Sequence, residues 1–71
     1  MQLTNKVREL RARFRMSQTE LADIIDVSRQ TISLIERGDY SPSVVLALRI
    51  AQVFGEPVES IFSLKKEEES Q

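Results

Sequence analysis

The stretch Ser28 to Gly38, SRQTISLIERG, sets Arg29, Gln30 and Thr31 side by side, with only Ile32 and Ile35 suited to burial at strongly inward positions. A guanidinium offers parallel donors that match O6 and N7 of guanine, and a carboxamide offers the donor–acceptor pair that matches N6 and N7 of adenine. Hydrogen-bonding side chains on a helix that does not bury them are the chemistry of reading base edges. Other chemistries are poorly supplied. The 71 residues include no cysteine and no histidine, which removes disulfides, thiolate nucleophiles, the usual zinc ligands and the commonest general base. Carboxylates are plentiful, yet none has a partner that would make it a catalytic acid or base. The chain is therefore expected to be no enzyme, with no metal site and no cofactor.

A reading helix must be held by others, and the apolar spacing supplies them. Leu3, Val7, Leu10 and Phe14 recur at helical intervals and predict a first helix. Ser17-Gln-Thr-Glu20 is a capping-box sequence, so a second helix starts near Gln18, with Leu21, Ala22 and Ile25 facing inward. Ser28 is suited to cap a third helix over about 28–37, and Gly38 to end it. The turn between the second and third helices is too short for an antiparallel hairpin, so the pair must cross steeply, with Ala22 allowing close approach. A fourth helix follows Ser41 or Ser43 and runs to Gly55. A short fifth opens at Pro57 and carries Val58, Ile61, Phe62 and Leu64. No strand alternation stands out, so the expected fold class is all-α, five short helices in one domain over 1–64. The charged segment 65–71 has nothing to bury and is expected to be a disordered tail.

The net charge of −1 is unevenly spread. Residues 1–15 carry Lys6, Arg8, Arg11, Arg13 and Arg15 against Glu9, a balance of +4; residues 16–55 come to −2 and 56–71 to −3. The basic face of the first helix reads as a solvated surface with a minor role in attracting polyanions. There is no signal pattern and no long apolar run. No membrane association is expected, and a cytoplasmic location is the default.

Residues 18–38, QTELADIIDVSRQTISLIERG, resemble the helix-turn-helix of the phage Cro/repressor-like (Xre-type) transcription regulators. With its flanking helices the likeness extends over roughly residues 3–63. It implies a compact, five-helix, lambda-repressor-like DNA-binding domain in which the second and third helices form the motif and the third enters the major groove. Carried over position by position, it makes Arg29 and Gln30 the main base readers, with Ser28 and Thr31 near phosphate or base edges. Ser33 would reach the groove, Leu34 would pack on a thymine methyl, and Gln18 and Arg37 would meet phosphates. It also implies a structural ion pair between Arg11 and Glu36. One departure stands out: the family usually has glycine in the turn where this chain has Asp26.

The implied partner is double-stranded DNA, a palindromic operator bound by a homodimer acting as a small regulator, most simply a repressor, with no small-molecule ligand. The fourth helix is apolar on two sides. Val44, Ala47, Leu48, Ala51 and Phe54 read as its inward stripe, leaving Leu46, Ile50 and Val53 as a second stripe for a dimer interface joined by Ile61, Phe62 and Leu64. A different class of function, a protein-interaction adaptor using the motif as scaffold, would draw on Ile24, whose place in the pattern is normally outward and polar.

Overall fold

The computed structural model describes residues 2–65. In chain order it contains strand β1 (Gln2–Asn5), helices α1 (Val7–Arg13), α2 (Gln18–Ile25), α3 (Arg29–Arg37), α4 (Val44–Phe54) and α5 (Val58–Ile61), and strand β2 (Phe62–Lys65). The fold is mostly helical, with the five expected helices packed around one core and a minor two-stranded sheet formed by β1 and β2.

The sheet corrects the sequence expectation at both ends. β1 and β2 pair antiparallel, with Gln2 opposite Lys65, Leu3 opposite Leu64, Thr4 opposite Ser63 and Asn5 opposite Phe62. Leu3 therefore belongs to a strand rather than to the first helix. Phe62 and Leu64 lie in β2 rather than on the last helix, and Lys65 is paired rather than part of a tail. Asn5 explains why α1 cannot extend backward. Its Oδ1 accepts from the Val7 amide at 3.1 Å, and its Nδ2 donates to the Ile35 carbonyl at 2.9 Å. The Lys6 amide donates across to the Ile61 carbonyl at 2.9 Å, which starts the pairing with β2. The expected tail, apart from Lys65, lies outside the described residues.

Helix starts follow the sequence. Ser17 and Glu20 form the complete capping box, Ser28 accepts from the Thr31 amide, and Ser43 rather than Ser41 caps α4 by accepting from the Leu46 amide. Helix ends share one device. After α1, α2, α3 and α4 a residue turns left-handed: Arg15 at φ 55°, Asp26 at 63°, Gly38 at 81° and Gly55 at 66°. In each case its amide bonds three residues back and the next amide bonds five back, as in Met16 to Arg11 and Val27 to Ala22. This is the Schellman closure of a helix, which satisfies otherwise orphaned carbonyls. Asp26 thus occupies the turn position where the family's glycine is expected. Arg15 takes the same conformation with no turn-forming residue type to signal it.

The core is built from Val7 and Leu10 of α1, Leu21, Ala22 and Ile25 of α2, Ile32 and Ile35 of α3, and Ile61 of α5, together with one face of α4. That face is Leu46, Ile50, Ala51 and Phe54. Ala51 and Phe54 are buried as expected, but the first half of α4 is turned from its expected orientation. Leu46, Ile50 and Ile61, expected at a dimer interface, are buried at 7%, 0% and 1% exposure, whereas Val44 and Leu48, expected inside, are exposed. Of the remaining interface candidates, Val53 and Phe62 are half-buried against the core and Leu64 is exposed. Phe14, just past the end of α1, is half-exposed and meets Phe54 edge to face, with ring centroids 5.3 Å apart. Among the described residues, no helix is long and apolar enough to cross a membrane.

Candidate nucleic-acid interface

The interface is assembled on α2 and α3, whose buried sides are Leu21, Ala22 and Ile25 on one helix and Ile32 and Ile35 on the other. Burying β-branched Ile32 and Ile35 fixes the rotation of α3 about its axis. Arg29 and Gln30, in its first turn, are consequently exposed, and Ser33 and Leu34, one turn on, are half-buried. The first turn of a helix also leaves amide donors without intrahelical partners and carries the positive end of the helix dipole. Ser28 and Thr31 satisfy part of that turn themselves. The Ser28 Oγ accepts from the Thr31 amide at 3.1 Å, and the two hydroxyls bond to each other at 2.9 Å. Thr31 therefore reinforces the cap.

Behind the exposed face lies a charged network that ties three helices together. Arg11 of α1 donates through Nε and Nη2 to the Glu36 carboxylate of α3 at 2.6 and 3.1 Å, and through Nη1 to the Met16 carbonyl at 2.9 Å. Gln18 of α2 donates through Nε2 to Glu36 Oε1 at 3.0 Å. The pair is mostly withdrawn from solvent, with side-chain exposures of 14% for Arg11 and 5% for Glu36. The implied ion pair is thus present, and Gln18 braces Glu36. A desolvated charge pair is tolerable only when its remaining donors and acceptors are also satisfied. Here they are: no buried side-chain nitrogen or oxygen among the described residues lacks a partner.

Two further attachments hold the motif in place. Asn5 bonds the Ile35 carbonyl in the last turns of α3, and Arg49 of α4 donates to the Ile25 carbonyl at the end of α2 at 3.3 Å. Neither stands out in the sequence. Both reach across the fold to helix-end carbonyls, a relation with no local sequence pattern.

Arg8, Gln18, Ser33 and Arg37 border one shallow depression, floored by the Arg11–Glu36 pair. The structure therefore moves Arg8 from a merely solvated face to the rim of the interface. Its spacing held the signal: Arg8 and Arg11 are three apart and share a helix side, so fixing Arg11 on Glu36 carries Arg8 there as well. Arg37 is held at this rim by Asp39, with Nη2 to Oδ2 at 2.6 Å and Nε to Oδ2 at 3.0 Å, both side chains largely exposed. An exposed pair of this kind is worth only about 0–1 kcal/mol, so a phosphate can displace the carboxylate at small cost.

Comparison with known proteins agrees with this geometry. The helix-turn-helix family profile matches residues 7–61. The HTH-type transcriptional regulator YgzD of Bacillus subtilis, itself uncharacterized, is 49% identical over 92% of this chain and 98% of its own length. An uncharacterized HTH-type regulator of Archaeoglobus fulgidus is 44% identical over 93% of each chain. Among solved structures, the restriction-modification controller protein C.AhdI from Aeromonas hydrophila aligns with a TM-score of 0.71 at 30% identity, over 76% of this chain and 82% of that one. A Bacteroides fragilis protein aligns at TM-score 0.78 over 86% of this chain and 98% of that one, and its 18% identity speaks for the fold alone. This chain belongs to the Cro/repressor-like (Xre-type) helix-turn-helix family of transcription regulators and is a DNA-binding protein of that family.

Proposed function

We propose that the protein is a sequence-specific repressor that reads a palindromic operator as a homodimer, with α3 of each copy in the major groove. The observation that carries this is the exposure of Arg29 and Gln30 in the first turn of a helix whose other side is locked into the core. Arg29 selects guanine and Gln30 adenine, each good bidentate contact discriminating by about 1–3 kcal/mol. Ser33 reaches the same groove, and Leu34 contacts a thymine methyl. Gln18, with its second amide hydrogen, joins Ser28, Thr31, Arg37 and Arg8 in gripping phosphates, which position the helix without choosing sequence. Occupying the operator is enough to block transcription, whereas activation would need a further contact with the transcription machinery.

Selection of bound sites from random DNA, followed by titration of variants over a range of salt, tests this reading. Gln30→Ala should relax preference at one base position per half-site and leave the salt dependence unchanged. Arg37→Ala or Arg8→Ala should weaken all sequences alike and flatten the slope of log affinity against log salt by about 0.9 for each phosphate no longer neutralised. If Gln30→Ala weakens every sequence equally, α3 grips backbone rather than reading bases. The adaptor reading draws on exposed Ile24, which shares a hollow with Arg49 and Val53. Absence of DNA binding even at low salt would favour it.

A further inference from the structure

Gly38 ends α3 in the left-handed conformation, its amide bonded to the Ile35 carbonyl at 3.0 Å and the Asp39 amide to the Leu34 carbonyl at 2.9 Å. This closure folds the chain back over the last turn and brings the Asp39 side chain beside Arg37. A single carboxylate oxygen, Oδ2, accepts from both Nη2 and Nε of the guanidinium, at 2.6 and 3.0 Å. That edge, with its two parallel N–H groups, is one that a phosphate oxygen would also take. From this we infer that Asp39 limits DNA affinity: its carboxylate stands in for phosphate on Arg37 in the free protein, and DNA has to displace it to gain the Arg37 contact. The inference rests on the proposed place of Arg37 at the DNA backbone, and not on the reading of bases by Arg29 and Gln30.

Asp39 is otherwise badly placed. A carboxylate just past the C-terminus of a helix faces the negative end of the dipole. The closure of α3 uses the backbone amides of Gly38 and Asp39 and makes no use of the carboxylate. Among the described residues, Arg37 is its only side-chain partner. The two side chains are 63% and 53% exposed, so solvent screens the pair, and the exchange takes back only part of what the Arg37 contact supplies. Standing two residues from Arg37, the carboxylate competes at an effective concentration set by the chain itself, whatever the protein concentration. Arg8, on the rim of the same depression, pairs with no carboxylate among the described residues and provides an internal control.

The test is titration of the selected operator and of unrelated DNA with the full chain over a range of salt. The variants are Asp39→Asn, Arg37→Ala, Arg8→Ala and the two doubles that combine Asp39→Asn with each arginine change. Asp39→Asn should tighten binding to every sequence alike, because phosphates carry no sequence, by up to about fivefold at low salt, the worth of an exposed pair. The slope of log affinity against log salt should steepen by up to about 0.9, one phosphate being neutralised without a competitor. The gain should persist in the Arg8→Ala background and disappear in the Arg37→Ala background, with no loss in thermal melting temperature. Asp39→Ala, which keeps no hydrogen bond to Arg37, is read in the same way. No gain at all overturns the inference. So does an equal gain without Arg37, which would mean that Asp39 only repels DNA at a distance. A wild type that prefers no sequence, yet binds more tightly through Arg37 once Asp39 is changed, upholds the inference and overturns the operator reading. Clear sequence preference without the gain does the reverse, and no binding to any DNA at low salt overturns both.

Discussion

Helices α3 and α4 are neighbours in the chain and opposites in how they meet the fold. α3 buries Ile32 and Ile35 and, apart from half-buried Leu34, presents polar groups elsewhere, so its apolar residues favour one orientation. α4 is apolar on two sides and buries Leu46, Ile50, Ala51 and Phe54, leaving Val44 and Leu48 outside. The contrast shows what amphipathicity does and does not settle. A single apolar stripe orients a helix by itself, because turning it would bury hydrogen-bonding groups at a cost of several kcal/mol. Two stripes leave the choice to the shapes of the neighbours.

The largest effects should come from truncating side chains on the buried sides of the two helices. Ile32→Ala and Ile50→Ala should each lower unfolding free energy by about 2–5 kcal/mol in urea titration, since both side chains are fully buried. Leu48→Ala, measured at a concentration where the chain is monomeric, should cost far less. Equal losses at positions 48 and 50 would mean that α4 is not turned as described.

Next in size is the link that holds α3 to α1. Arg11→Ala removes the guanidinium from a Glu36 side chain that is only 5% exposed in the intact pair, leaves Gln18 as its one side-chain partner, and should cost about 3 kcal/mol. Glu36→Gln combined with Arg11→Met should be less damaging than the sum of the two single changes. Additive losses in thermal melts would show that the pair contributes no coupling.

The helix ends give smaller effects of opposite sign. Gly38→Ala and Gly55→Ala would meet no atom within 4 Å, so the left-handed backbone alone should set their cost, at about 1 kcal/mol each. Arg15→Gly and Asp26→Gly remove the same strain and should be neutral or stabilising by up to about 1 kcal/mol in thermal melts. A clear loss at Asp26 would show that its carboxylate is needed at the turn. Smallest of all, Gln30→Ala on the outer face of α3 should shift folding stability by no more than about 0.5 kcal/mol, while changing base preference.

Much of the reading face was legible because its signals are local. The Ser17–Glu20 capping box, the Ser28 cap, the Gly38 stop and the spacing of Ile32 and Ile35 each act within a few residues, and together they orient Arg29 and Gln30. The Arg11–Glu36 pair spans 25 positions and is implied by family resemblance rather than by spacing. The place of Arg8 follows only once Arg11 is fixed on Glu36, so its sequence neighbourhood shows no more than a basic helix side. Alternation in Phe62–Lys65, FSLK, is a strand signal, but four residues at each end are too few to announce a sheet without sight of the partner.

The helical character of the chain, the limits of α2 and α3, and the side of α3 left for a ligand were all legible in local sequence signals. Each follows from capping, left-handed stops and one-sided burial within a single segment. The pairing of Gln2–Asn5 with Phe62–Lys65, the fastening of the motif by Asn5 and Arg49, and the choice of which stripe of α4 faces out were set by the tertiary fold. Those outcomes depend on contacts between residues far apart in sequence. Backbone groups at the termini find their partners only across the fold, and a doubly apolar helix takes the rotation that packs best against its neighbours.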